Sequence, residues 1–182
     1  MKKEIDINQE ELADVFKAER PRLLRYACYR LGNEDDAKDV LQEAFLKMHT
    51  RISDADGLQI KDLRSYLFKT LSNVCAKWQS SSSRLKTIPL DLKADIADAT
   101  ADTKKEEDYR RIVQLLAEIP EEQAEVIRLR IYGDNSFCEV AEILSLPLPT
   151  VKSRFLYGLE KIRKGMKQKQ QTIKKSQDYE LQ

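Results

Sequence analysis

The chain has 182 residues, with 32 Lys and Arg against 31 Asp and Glu, and a formal net charge of +1. This length allows one domain or two small ones, and 41% hydrophobic residues suffice for packed cores, which excludes wholesale disorder. Five Gly and five Pro are few for an all-β sandwich, and one His with three Cys is too few for most metal or redox scaffolds.

The sequence has no signal for a membrane or for secretion. No stretch reaches the roughly 18 consecutive apolar residues of a transmembrane helix, and no apolar run follows the lysines of the N-terminus. Cys28, Cys75 and Cys138 share no short spacing, and each lies in a helical pattern. We therefore expect buried, reduced thiols in a cytoplasmic protein.

The N-terminal part of the chain carries helical patterns. Apolar spacing predicts a first helix over residues 9–32, with a bend or restart at Pro21. Asn33 is a suitable N-cap for a second helix that should end near Arg51. A third helix is predicted from about residue 61 to residue 78.

A linker is predicted between two helical regions. The run Ser80–Ser83 and the aperiodic residues after it indicate that regular structure stops, so we interpret residues 81–105 as a flexible linker. Helical spacing resumes near Glu106 and is broken at Gly133.

The segment after this break has the pattern of a helix-turn-helix. Ser136 and Glu139 have the spacing of a capping box for a short helix. Pro147 disfavours continuation of that helix, and Pro149 suits the start of a longer one that should end near Met166. A short helix, a tight turn and a longer helix are typical of a DNA-binding motif.

The longer helix has two faces at about 100° per residue. Its apolar face carries Val151, Phe155, Leu159, Ile162 and Met166. Its polar face carries Thr150, Arg154, Tyr157, Lys161 and Lys164, with Ser153 at the edge. Residues 106–149 hold 4 basic and 10 acidic side chains, whereas residues 150–175 hold 9 basic and 1 acidic. This basic segment favours contact with DNA phosphates, although a solvated amphipathic helix would show the same pattern.

Two sets of motifs resemble one family. Ile119-Pro120-Glu121-Glu122-Gln123, residues 136–144 and Thr150-Val151-Lys152-Ser153-Arg154 resemble conserved region 4 of bacterial RNA polymerase sigma factors, most of all the extracytoplasmic-function (ECF) group. Residues 36–45 are similar to region 2.2 of that group, and residues 63–69 with Asn73 are similar to regions 2.3 and 2.4.

The resemblance implies an all-α fold of two small helical domains joined by a flexible linker, the C-terminal one a helix-turn-helix. Region 2 would occupy residues 1–80, and region 4 would occupy residues 106–166, each on one side of the linker at 81–105. The basic and polar tail, residues 167–182, is expected to be frayed or disordered.

The resemblance also implies a sigma factor without catalysis of its own, which binds core RNA polymerase and promoter DNA and needs no cofactor or metal. Residues matching the family's −35 contacts are Arg130, Thr150, Lys152, Ser153, Leu156 and Tyr157, and the polar face of the helix adds Arg154 and Lys161 as candidates. Candidates for the −10 element are Asn73, Lys77, Trp78 and Arg84. Candidates for polymerase binding are Asp39, Gln42 and Glu43. An anti-sigma factor is an expected partner, and the free chain is expected to be a monomer.

The chain departs from the family pattern in places. Tyr157 stands where Arg is common, and only Arg84 and Lys86 follow region 2.4, where an Arg-rich stretch is usual. Other interpretations stay open: Trp78 could pack in the core instead of stacking on a base, and the acidic residues of the second helix could form an ordinary solvated face. The main alternative function is a helix-turn-helix regulator that does not bind core polymerase. A third alternative is an enzyme of nucleic-acid metabolism, but the sequence contains no P-loop, no metal-ligand cluster and no nucleophile–His–acid set that would support it.

Overall fold

A computed structural model describes residues 5–6, 9–54, 59–60, 62–81 and 103–180, with side chains for 9–52, 60, 62–81 and 107–167. The helices are α1 (Gln9–Leu31), α2 (Glu34–Asp54), α3 (Leu63–Ser81), α4 (Thr103–Glu118), α5 (Glu121–Ile127) with a π-helical segment (Arg128–Tyr132), α6 (Phe137–Leu144) and α7 (Leu148–Glu180). One antiparallel pair joins β1 (Ile5–Asp6) to β2 (Gln59–Ile60). The all-α prediction is confirmed. Among the described helices, none is both long and apolar enough to cross a bilayer.

The boundary between α1 and α2 follows from two residues. Gly32 adopts a φ of 72°, which glycine reaches without strain, and so ends α1. The Asn33 side chain then accepts hydrogen bonds from the backbone N–H of Asp35 (2.8 Å) and Asp36 (3.3 Å), which confirms the predicted N-cap.

Pro21 lies inside α1 and does not interrupt it, so the predicted restart of the helix at this position is wrong. Proline removes one backbone donor, but Leu12 on one side and Leu23 and Tyr26 on the other are buried in the same core. Tertiary packing on both sides of the proline therefore outweighs the local cost.

The other helices of the N-terminal half, α1 to α3, extend beyond their predicted ends. Helix α2 continues to Asp54 rather than Arg51, and α3 runs from Leu63 to Ser81. Asp62 starts α3, because its carboxylate accepts hydrogen bonds from the backbone N–H of Arg64 (3.1 Å) and Ser65 (3.3 Å). The hydroxyls of Ser80 and Ser81 donate to the carbonyl oxygens of Lys77 (2.9 Å) and Trp78 (3.2 Å), so the first two serines of the run continue the helix.

In the C-terminal half, α4 to α7, the predicted capping box of α6 is present. The Ser136 hydroxyl accepts a hydrogen bond from the Glu139 backbone, and the Glu139 carboxylate accepts one from the Ser136 backbone. Ser145 follows the last residue of α6 as its C-cap, and its φ of 54° turns the chain towards α7. Helix α7 packs closely on α5 because Gly158 has no side chain: a Cβ there would lie 2.7 Å from Ile127 Cδ1.

Helix α7 runs to Glu180, past its expected end near Met166. The tail at 167–182 was expected to be frayed or disordered, but its backbone is helical to Glu180. Lys and Gln are good helix formers, and no Gly or Pro follows Gly165, so the sequence contains no stop signal there.

The two halves share one apolar core. Leu129, Val140, Ile143 and Val151 of the C-terminal half belong to the same buried cluster as Tyr26, Phe68 and the other core residues of α1 to α3. The π-helical segment contacts α1, and α6 contacts α3. A smaller cluster around Leu116, Ala124 and Ile127 lies within the C-terminal half.

The predicted linker, residues 81–105, is wrong at both ends, since Ser81 belongs to α3 and residues 103–105 belong to α4; residues 82–102 lie outside the described residues. The candidate −10 residue Arg84 lies outside them as well.

The three cysteines differ in environment, which predicts a difference in alkylation. Burial raises the pKa of the Cys28 thiol to about 12 and that of Cys75 to about 12, whereas Cys138 is exposed, so the expectation of a buried thiol is wrong for Cys138. Since the thiolate is the reactive form, iodoacetamide at mildly alkaline pH should modify the native chain once, at Cys138. Mass spectrometry of native and denatured samples checks this. Rapid modification of Cys28 or Cys75 in the native sample would contradict the packing of α1 and α3.

Candidate functional site

The recognition helix of the helix-turn-helix is the first part of α7. Four of its candidate DNA contacts are exposed: Lys152, Leu156, Tyr157 and Lys161. Leu156 is 65% exposed and Tyr157 is 60% exposed, which is unusual for large hydrophobic side chains at the centre of a helix. Together they form a surface with two cations at its ends and two large side chains between them, which suits phosphate contact combined with contact to base edges.

Arg154 differs from these residues. The helical wheel places it on the outer polar face, but its side chain is 28% exposed and its guanidinium is 2.9 Å from a Glu122 carboxylate oxygen on α5. Gly158 lies one turn later on the same face of α7 and allows close approach to α5, which turns the Arg154 edge inward. A direct contact of Arg154 with DNA requires this ion pair to break.

The remaining polar candidates of region 4 are partly buried. Ser153 Oγ donates a hydrogen bond to the Thr150 carbonyl oxygen at 3.0 Å, so this hydroxyl already has an acceptor on its own helix. Arg130 lies on the π-helical segment with its guanidinium 5.1 Å from the centre of the Phe137 ring, a cation–π contact that orients it near the start of α6.

The candidate −10 residues lie on α3. Asn73 and Lys77 are exposed, and their spacing of four places them on one face of the helix. Trp78 is half-buried and packs against the main core. The core-packing interpretation of Trp78 therefore accounts for part of this side chain, and the rest is accessible.

The candidate polymerase-binding residues lie on α2. Asp39 and Gln42 are exposed, and Glu43 is ion-paired with Lys47 at 2.6 Å. Leu46 was not among the predicted residues; it has helical spacing to all three and is 56% exposed. A leucine that lies off the apolar stripe of α2, among polar residues, is the sequence signal that could have identified it. We call Asp39, Gln42, Glu43 and Leu46 the α2 face.

A second set of residues that the sequence analysis missed lies between the halves. The Glu125 carboxylate of α5 accepts hydrogen bonds from the Tyr26 hydroxyl, from Ser72 Oγ (2.7 Å) and from the Arg30 guanidinium. Arg128 lies 3.6 Å from the same carboxylate. The side chains of Glu125 and Arg30 are 8% and 7% exposed, so this ion pair is almost fully removed from water. We call these five residues the Glu125 cluster.

The electrostatics of the cluster follow from burial and charge. Burial raises the pKa of Tyr26 well above its ordinary value, and the nearby Glu125 raises it further. Burial alone would lower the pKa of Arg30, whereas the carboxylates of Glu125 and Glu121 raise it. Tyr26 therefore stays a neutral donor and Arg30 stays charged near neutral pH, as the hydrogen bonds require.

Ion pairs and stacked rings surround this cluster. Arg22 pairs with Asp134 at 2.9 Å, and Arg64 pairs with Glu139 at 3.0 Å; both arginines also donate to the Asp134 carbonyl oxygen. Tyr29 of α1 stacks on Tyr132 with ring centres 3.4 Å apart. Contacts between the halves therefore extend from α5 to the start of α6.

Among the described residues, no group of three or more His, Cys, Asp and Glu side chains is arranged to hold a metal ion.

Comparison with known proteins places both halves in one family. The family model for Sigma-70 region 2 matches residues 15–84, and that for Sigma-70, region 4 matches residues 115–164. The ECF RNA polymerase sigma factor SigW of Bacillus subtilis is 28% identical over 178 residues, covering 88% of this chain and 91% of that protein. The RNA polymerase sigma-E factor of Streptomyces avermitilis is 26% identical, covering 86% of this chain and 85% of that protein.

Solved structures show the same fold. CnrH, in complex with the cytosolic domain of CnrY, matches with a TM-score of 0.64 and 20% identity over 88% of this chain and 90% of that one. The sigma factor RpoE of Bartonella quintana, in complex with the anti-sigma factor NepR, matches with a TM-score of 0.62 and 19% identity over 87% of this chain and 98% of that one. The two region matches, in the family's order on one chain and with relatives that span its length, show that the chain belongs to the ECF group of the sigma-70 family of RNA polymerase sigma factors.

Proposed function

We propose that this sigma factor directs core RNA polymerase to promoters through three separate surfaces: the α2 face for polymerase, α3 for the −10 element and the start of α7 for the −35 element. The observation that carries the proposal is the exposure of all three surfaces on a chain whose two halves match regions 2 and 4. A regulator that only bound DNA would need the second half alone.

At the −35 element, Lys152 and Lys161 would contact phosphates, and Leu156 and Tyr157 would contact base edges. Thr150 and Ser153 would contribute from the partly buried edge, and Arg130 would reach a phosphate from its position over Phe137. Arg154 is the weakest member of the set, because Glu122 already holds its guanidinium. Tyr157 supplies a phenol in place of a guanidinium, so we expect a base preference unlike that of relatives with Arg there.

At the −10 element, Asn73 and Lys77 would contact the separated strand, with Trp78 contributing its accessible edge; Arg84, which lies outside the described residues, is a further candidate. Unpairing a base costs a few kcal/mol, and stacking on an aromatic side chain returns roughly 1–3 kcal/mol per base. The half-buried indole of Trp78 offers part of that stacking area, and Asn73 offers hydrogen bonds to a base edge.

The α2 face would bind core polymerase. An exposed leucine surrounded by carboxylate and amide groups has the composition of an interface centre with a polar rim, and its acidic character favours a basic partner surface. The chain would act entirely by binding and positioning, without a cofactor or metal, in the cytoplasm where transcription occurs. The free chain would be a monomer, and an anti-sigma factor would be a partner, as NepR is of the Bartonella quintana RpoE.

Run-off transcription with purified core polymerase tests the function directly. The full-length chain should confer promoter-specific initiation on core enzyme, and sequencing of the transcripts identifies the promoters. If the chain binds DNA yet neither associates with core polymerase at micromolar concentration nor supports initiation, the regulator alternative is correct.

The recognition helix predicts two kinds of DNA-binding variant. Lys161→Ala should weaken binding about equally across sequences and lower the salt slope by about one, because it removes one phosphate contact. Tyr157→Ala should instead change the preferred −35 bases. Fluorescence anisotropy at several salt concentrations measures both, with Lys17→Ala on α1 as the control. A change of base preference in Lys161→Ala at unchanged salt slope would contradict the assigned orientation of α7.

The α2 face predicts a polymerase-binding variant. Leu46→Ala should weaken binding to core polymerase about tenfold, the effect of losing an interface anchor, while the free energy of unfolding changes by less than about 0.5 kcal/mol. Leu156→Ala is the matched control, since it shortens a leucine of similar exposure on α7, away from the α2 face. Equal polymerase affinity for Leu46→Ala and the unaltered chain would remove the α2 face from the proposal.

A further inference from the structure

We propose that Asn135 is a positioning residue for DNA binding: its side chain stabilises the π-helical segment and thereby holds Arg130 in the orientation in which it contacts a phosphate. The inference rests on the proposed function, because Arg130 is one of its −35 candidates. It adds a residue that does not itself touch DNA, and it gives a role to the departure from α-helical geometry immediately before the helix-turn-helix.

The π-helical segment differs from an α-helix in one backbone hydrogen bond. In an α-helix the N–H of Gly133 would donate to the carbonyl oxygen four residues earlier, that of Leu129. Instead it donates to the carbonyl oxygen of Arg128, five residues earlier, at 2.9 Å. The carbonyl oxygen of Leu129 therefore loses its donor within the helix. Because Leu129 is fully buried, water cannot replace that donor, and a buried carbonyl without a donor is unfavourable.

Asn135 supplies the missing donors. Its side-chain Nδ2 donates to the Leu129 carbonyl oxygen at 2.9 Å, and its backbone N–H donates to the same oxygen at 3.2 Å. Asn135 is 1% exposed, so water does not compete for these bonds. Gly133 leaves the space for them, since a Cβ there would lie 2.6 Å from Asn135 Nδ2 and 2.7 Å from the Leu129 oxygen. The amide at position 135 and the lack of a side chain at position 133 together permit the π-helical geometry.

The π-helical geometry sets the direction of Arg130. A π-helical turn holds about one residue more than an α-helical turn, so it rotates the side chains on its two sides relative to each other by about 100°. In this arrangement the Arg130 guanidinium lies 5.1 Å from the centre of the Phe137 ring, which orients the cation without neutralising it. Phe137 begins α6, the first helix of the helix-turn-helix. Because the first helix of such a motif crosses the DNA backbone, a cation at its start is well placed to contact a phosphate.

DNA binding by the full chain tests the inference through fluorescence anisotropy at several salt concentrations. Asn135→Ala and Gly133→Ala should each weaken binding to −35 duplexes about tenfold and lower the salt slope by about one, as Arg130→Ala should. Since the loss passes through Arg130, adding either substitution to Arg130→Ala should cause no further change. Val126→Ala shortens a buried side chain of α5 and is the matched control for lost stability, so its salt slope should stay unchanged.

NMR of the free chain separates the position of Arg130 from its role on DNA. The face of an aromatic ring shifts the resonances of nearby protons upfield, so the Arg130 side-chain protons should be shifted upfield in the unaltered chain. The shift should disappear in Phe137→Leu, which removes the ring, and in Asn135→Ala and Gly133→Ala, which remove the π-helical geometry. Circular dichroism shows which variants keep their helix content. If one of the last two variants unfolds, the other decides the outcome.

Three results would overturn the positioning role. The first is an upfield shift of Arg130 that persists in folded Asn135→Ala or Gly133→Ala. The second is an unchanged salt slope in these variants while Arg130→Ala lowers it, and the third is an additive loss of affinity in the double variants. If Arg130→Ala itself leaves affinity and salt slope unchanged, the phosphate contact in the proposed function is wrong, while the NMR shifts still decide whether Asn135 orients Arg130.

Discussion

The arrangement of this molecule depends on a single carboxylate that crosses from one half to the other. Glu125 belongs to α5, yet its donors Tyr26, Arg30 and Ser72 all belong to α1 and α3. Burial of an unpartnered carboxylate costs several kcal/mol, so the register between the halves is restricted to positions in which these donors surround it. The ion pairs of Arg22 and Arg64 and the stack of Tyr29 on Tyr132 lie around this point and are compatible with the same register.

Features with local causes could be predicted from the sequence. Asn33 and Ser136 act as caps because their side chains bond to backbone groups two or three residues away, which spacing alone reveals. The helix-turn-helix and its exposed Leu156 and Tyr157 follow from periodicity and from the resemblance to region 4. Pro21 and the tail of α7 were predicted less well, because packing decided the first and the absence of any stop signal decided the second.

Features that depend on the partner half could not be predicted. Glu125 looks like an ordinary surface glutamate in a short acidic helix, and nothing in its neighbours shows that an arginine 95 positions earlier would bury it. The helical wheel placed Arg154 on the outer face for a related reason. The wheel was oriented by the apolar side chains and took no account of glycine, but α7 approaches α5 closely at Gly158. Long-range contacts and close backbone approaches are the two kinds of information that a single sequence withholds.

The shared apolar cluster has a consequence for the solubility of the chain. Leu129, Val140 and Ile143 are buried in one cluster with residues of α1 to α3, so separation of the halves would expose apolar side chains to water. Exposed apolar surfaces favour self-association, so a chain with separated halves and no bound partner would be prone to aggregate. A binding partner that separated the halves would have to cover these side chains itself to keep the chain in solution.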